Sequence, residues 1–190
     1  MLKGMAKLNK EEQKGFALFH GKAKCFRCHI ITGDKPLFTD FTYDNLGVPK
    51  NPENPVYSYD PDFIDEGLGG FLATRSDYAG LASENMGKQK VPTLRNVDLR
   101  PNGGDVKTFA HNGYFKSLKG IVHFYNTRDV KPACDGDLTE AQALAQGCWP
   151  EPEVAANVNV DELGNLGLTE AEEDAIVAFM KTLSDGFAGD

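Results

Sequence analysis

The sequence predicts a mostly α-helical domain with long irregular loops, and three observations predict it. An amphipathic segment opens the chain, a well-capped amphipathic segment closes it, and the stretch from 31 to 83 shows neither helical nor strand periodicity. Residues 9–24 read as the first helix: Phe16, Ala17, Phe19 and Ala23 recur at helical spacing, with Lys10, Glu11, Glu12 and Lys14 in the first turn. From 31 to 83, Pro36, Pro49, Pro52, Pro55 and Pro61 and the glycines at 67, 69, 70 and 80 mark turns rather than regular elements. A stretch of that length without periodicity is uncommon in a compact domain unless something else orders it. Its aromatics, Phe38, Phe41, Tyr43, Tyr57, Tyr59, Phe63 and Phe71, argue against disorder. Residues 117–126, SLKGIVHFYN, predict a short apolar helix, followed by an insertion over about 130–155 that holds Cys134 and Cys148. The last helix, over about 169–184, starts with a Thr169/Glu172 capping box and carries Ile176, Val177, Phe179, Met180 and Leu183 on one stripe before Gly186. There is no internal repeat, and 190 residues are read as one domain, 1–190.

Composition narrows the function classes. A hydrophobic content of 41 % and a mean hydropathy of -0.40 are modest for a core of this size, which points to a cofactor filling part of it. The 28 acidic residues against 20 basic ones give a net charge of -8, which excludes nucleic acid and an anionic membrane as expected partners and suits a basic redox protein. No run reaches the roughly 18 apolar residues of a membrane span, and residues 1–10 lack the apolar run of a signal peptide.

The chemistry is concentrated in Cys25-Phe26-Arg27-Cys28-His29. Two thiols at this spacing can add across the vinyl groups of a porphyrin, and the histidine beside the second meets the iron from one side. Cys25 and Cys28 are therefore expected to bind one haem c covalently, with His29 as the proximal iron ligand. A zinc knuckle would need a second close pair, but Cys134 and Cys148 stand far apart, and a thioredoxin-like motif would need a βαβ context. With the first pair consumed by thioethers, Cys134 and Cys148 are expected to form a disulfide, two separate buried thiols being the alternative. Attachment of this kind takes place outside the cytoplasm, so the expected location is periplasmic or otherwise secreted, with the signal peptide absent from this sequence.

CFRCH, DNLGVP at 44–49, DEGLGG at 65–70, KVPTLRNVDLR at 90–100, HNGYF at 111–115 and SLKGIVHFY at 117–125 together resemble the C-terminal haem domain of the bacterial dihaem cytochrome c peroxidase and MauG family. The resemblance implies a cytochrome c-like haem domain. It runs from about Gly15 to Leu183 in the family's order, but this chain has a single CxxCH where the family's enzymes carry two haems. What it keeps resembles the electron-transfer half, which puts peroxidase activity in doubt.

The second axial ligand decides much of the chemistry, since a thioether raises the potential, a phenolate lowers it and an open position admits peroxide. By the family's order Tyr125 stands where the peroxidases have a methionine ligand and MauG a tyrosine. Met86, 57 residues beyond His29 in a glycine-flanked loop, is the second candidate, and His111 and His123 remain further ones. His111 is expected to hydrogen-bond near the haem, Arg95 to reach a propionate through its planar guanidinium, and Pro92 to fix the loop beside the haem. Trp149 is assigned to packing and His20 to the surface. The expected function is electron transfer to another redox protein, with no catalytic residue of its own. The alternatives are a peroxide-reactive haem enzyme and a haem subunit of a larger oxidoreductase.

Overall fold

Asn9 starts the first helix, α1 (Lys10–His20), by accepting from Glu12 N at 3.0 Å while the Glu12 carboxylate accepts from Asn9 N at 2.8 Å. The computed structural model, which describes residues 7–99, 107–187 and 189, ends this helix at His20 rather than at 24. The Gly21 N–H closes back on the Ala17 and Leu18 carbonyls, and Ala23 N bonds Leu18 O. Lys24 then takes a left-handed conformation (φ 56°), and Cys25–Arg27 form one 3-10 turn.

The closing helix α5 (Glu170–Lys181) has the expected Thr169/Glu172 capping box. It crosses α1 closely: a methyl added at Gly15 would overlap the Ala175 carbonyl, and Phe16 and Phe19 meet Phe179 edge-on at 5.2 and 5.3 Å between ring centres. Helix α3 (Leu118–Thr127) is capped by Ser117, whose hydroxyl accepts from Gly120 N at 2.9 Å. It buries Leu118, Val122 and Phe124. Asn126 ties it to the start of α5, donating to Leu168 O at 2.9 Å and to the Glu173 carboxylate at 2.6 Å while accepting from Leu168 N at 2.8 Å.

The stretch read as turns alone contains regular pieces. Gly67–Ala73 is a helix, α2, and Pro55–Ser58, Ala79–Leu81 and Ser83–Asn85 are 3-10 turns. Tyr43–Asp44 (β1) and Gln89–Lys90 (β2) pair antiparallel, Tyr43 opposite Lys90 and Asp44 opposite Gln89. The insertion holds a further helix, α4 (Glu140–Gln146), with its own Thr139/Gln142 capping box, and Cys134 and Cys148 form a disulfide with Cα atoms 5.1 Å apart. Arg100, the last residue of the 90–100 motif, lies outside the described residues.

Two apolar clusters make up the core. One gathers Tyr114, Phe115, Phe124, Trp149 and Ile176; the other gathers Phe19, Phe38, Leu94, Phe179 and Leu183. Cys25 and Val97 pack against both, which sets the CFRCH turn at their junction.

Candidate functional site

A cavity of about 420 Å³ opens at that junction, within the size range of small-molecule and cofactor sites. Cys25, Cys28 and His29 line it, and so do Phe19 from α1, Ile121, Val122 and Tyr125 from α3, Met180 from α5, and the strip from Gln89 to Leu94. The 3-10 turn presents both thiols and the imidazole to one apolar chamber.

Burial governs the electrostatics of the three residues. Burial pushes the Cys25 thiol up to about 12 and, with Glu162 and Asp44 adding to it, the Cys28 thiol up to about 12, so both sulfurs carry their protons at neutral pH. Burial also lowers the His29 imidazole below its ordinary value despite hydrogen bonding to the Phe38 carbonyl. That bond, Nδ1 to Phe38 O at 2.8 Å, fixes the ring through its δ nitrogen and leaves Nε2, with its lone pair, as the metal-binding atom. Phe38 holds its carbonyl there from a left-handed backbone, φ 56°. The donor set, the chamber and this outer anchor fit a covalently held haem.

Tyr125 lines the same chamber. The surface it keeps is cavity wall, and its phenol is raised well above the ordinary tyrosine range by desolvation first, then by Cys25, Cys28 and Asp44. Met86, the second candidate for the distal position, is not among the lining residues; its side chain packs over Gly69 of α2. His123 also turns elsewhere, its Nδ1 3.0 Å from the Glu173 carboxylate. Pro92 and His111 line the chamber.

Arg95 requires a correction. It does not line the cavity, because Asp185 takes its Nε at 2.8 Å and its terminal nitrogen at 2.7 Å. Trp149 is 2 % exposed, donates to the Thr127 hydroxyl at 3.0 Å and packs among Phe115 and Phe124. His20 is exposed and stacks on Phe26.

Sequence reasoning missed three acidic or amide side chains around the chamber. Asp44 and Glu162 converge on the Cys28 sulfur, their ligand atoms within 4.8 Å of one another. Asn159 Nδ2 donates to both, to Asp44 at 2.6 Å and to Glu162 at 2.9 Å, and Arg27 Nη1 lies 3.5 Å from the Glu162 carboxylate. Gln89 is the third. Only the DNLG motif gave a signal for Asp44; nothing in the pattern singled out Glu162 or Gln89.

No family model matches the chain. Among curated proteins, the methylamine utilization protein MauG of Paracoccus denitrificans (strain Pd 1222) is 30 % identical over 191 residues, spanning 97 % of this chain and 45 % of MauG. The cytochrome-c peroxidase IdrP2 of Pseudomonas sp. (strain SCT) is 28 % identical over 186 residues, spanning 93 % of this chain and 40 % of IdrP2. The chain thus covers less than half the length of either relative. Among solved structures, the diheme peroxidase BthA of Burkholderia thailandensis E264 matches with a TM-score of 0.73 and 29 % identity, over 96 % of this chain and 44 % of BthA. A MauG-like protein associated with microbial copper homeostasis matches with a TM-score of 0.58 at 22 % identity, over 97 % of this chain and 50 % of that one, which bears on the fold alone. Over nearly its whole length, therefore, this chain resembles a single haem domain of the dihaem MauG and cytochrome c peroxidase proteins.

Proposed function

We propose that the chain is a one-haem c-type domain that serves peroxide-linked oxidation. In this reading Cys25 and Cys28 hold the porphyrin by thioethers, His29 Nε2 binds the iron, and Tyr125 of α3 is the distal ligand. The observation that carries it is the gathering of all four residues around one apolar chamber. Haem supplies one-electron redox chemistry and, where a coordination position opens, reaction with peroxide. The polypeptide attaches the group through its two neutral thiols, aims the imidazole through the Phe38 carbonyl, excludes water with the walls from α1, α3 and α5, and keeps the Tyr125 phenol desolvated. The relatives named as peroxidases favour this reading over a plain electron carrier. The carrier is retained as the second reading because residues 1–190 hold one CxxCH.

Expression with a c-type haem attachment system tests both. A chain heavier than its polypeptide by one haem, whose ferric spectrum changes on adding hydrogen peroxide and loses its phenolate signature in Tyr125→Phe, is the expected result. A loaded protein inert to peroxide but readily reduced and reoxidised supports the carrier. A spectrum altered by Met86→Ala and untouched by Tyr125→Phe overturns the ligand assignment. The partner is then a second redox protein, and the location an oxidising compartment outside the cytoplasm, which the Cys134–Cys148 disulfide supports. Among the described residues no helix is long and apolar enough to cross a membrane.

A further inference from the structure

Among the described residues, two buried side-chain atoms have no hydrogen-bond partner: Gln89 Nε2 and Glu153 Oε2. A buried polar atom left unmet is costly, so a pair of them needs an explanation. Both stand by the turn that leads into α2. Gln89 Nε2 lies 3.0 Å from the position a Cβ would take on Gly67, and the other Glu153 oxygen accepts from Asp65 N at 3.2 Å and from the Tyr57 hydroxyl at 3.1 Å. His111 belongs to the same group, its Nε2 3.8 Å from Glu153 Oε2 and 3.9 Å from Asp65. Gln89 and His111 line the haem chamber, whereas Glu153 does not, and its side chain is only 4 % exposed.

We propose that Gln89 and His111 receive a propionate of the haem, and that Glu153 is the positioning residue that holds His111 toward it. This rests on the haem reading above. Haem carries its two carboxylates on the edge away from its vinyl groups, and an ionised carboxylate only accepts hydrogen bonds. The thioether end of the chamber is closed to it by charge, because Asp44 and Glu162 crowd Cys28. Three cationic side chains nearby have contacts of their own. Lys24 donates to Asp161 O at 2.8 Å, Lys90 lies over the Phe41 ring at 4.9 Å, and Arg95 is on Asp185. Gln89 lines the chamber, and its amide nitrogen has no hydrogen-bond partner. A histidine ring carries two nitrogens, so His111 can face Glu153 with one and the propionate with the other. Burial opposes ionisation of Glu153, but His111, the Asp65 amide and the Tyr57 hydroxyl outweigh it and hold its carboxyl below the usual range.

Resonance Raman spectra of the haem-loaded chain read this directly, through the propionate deformation band, which falls in frequency as hydrogen bonds to the carboxylate are lost. Gln89→Met, close in shape but without the donor, and His111→Leu are each expected to lower the band and change the midpoint potential. His111→Gln, which restores one donor, returns the band part way. Glu153→Gln, at a residue that does not line the chamber, is expected to move it in the same direction by a smaller amount. Should Gln89→Met fail to fold, Gln89→Glu keeps the shape while setting a carboxylate against the propionate, and a shifted band is again expected. A band unmoved in the folded Gln89 and His111 variants, at wild-type haem content and Soret maximum, overturns the proposal and assigns the two unmet atoms to water. A wild-type chain that takes up no haem removes the underlying reading, and this one with it.

Discussion

At the scale of single residues, the site depends on buried polar side chains that fix backbone as well as on those that touch the chamber. Asn126 follows Tyr125 in α3 and makes three hydrogen bonds, two with the Leu168 backbone and one with Glu173. Asn126→Leu keeps the volume and leaves those groups unmet, so it should cost roughly 2–4 kcal/mol in urea unfolding. If the haem reading holds, the same change should disturb the Tyr125 signature in the ferric spectrum. The sequence singled out Cys25, Cys28 and His29 by spacing and Tyr125 by its place after HNG, and all four line one chamber. Met86 and Arg95 do not line the chamber, and a sequence separation or a side-chain type does not say which neighbour competes. Asp185 captures Arg95 from the far end of the chain, and Met86 is spent on packing over Gly69. Glu153 was illegible, since a buried carboxylate that follows Pro150 and Pro152 has no periodicity to betray it.

Between elements, the crossing of α1 and α5 is the contact most sensitive to a small change. Gly15 lets the helices approach until the Ala175 carbonyl occupies the space a methyl would need. Gly15→Ala meets backbone rather than a flexible side chain and is expected to cost about 3 kcal/mol, the upper end of overpacking penalties, as a lowered urea midpoint. The capping box of α5 adds a pH dependence. Glu172 is held below the usual carboxylate range by Lys22, 2.6 Å away, and by the Thr169 amide. A carboxyl lowered in the folded state adds stability above its unfolded value, and that stability is lost as pH falls through the folded value. Glu172→Gln should therefore flatten the acid limb of the melting temperature measured below about pH 4.5, near the ordinary glutamate value. Both terminal helices were legible because their caps and stripes are written in neighbouring residues. Helix α2 was not, since it is glycine-rich and its N-cap Glu66 makes no side-chain bond. Helix α4 was overlooked although Thr139 and Gln142 spell out its box.

For the molecule as a whole, the excursion that carries α4 is pinned by the Cys134–Cys148 disulfide and by Trp149, apart from the residues that line the chamber. Opening a loop of this length is expected to cost about 3 kcal/mol. A Cys134→Ser, Cys148→Ser double variant should lower the melting temperature while leaving the visible spectrum of a haem-loaded protein unchanged. The chamber is a different case, because its walls run from Phe19 near one end of the sequence to Met180 near the other. It comes into being only when α5 docks on α1, long after the CFRCH turn has been synthesised. A macrocycle bonded to that turn during export would thus be fastened to an open strand, and the docking of the last helix would shut the vault around a guest already tethered inside.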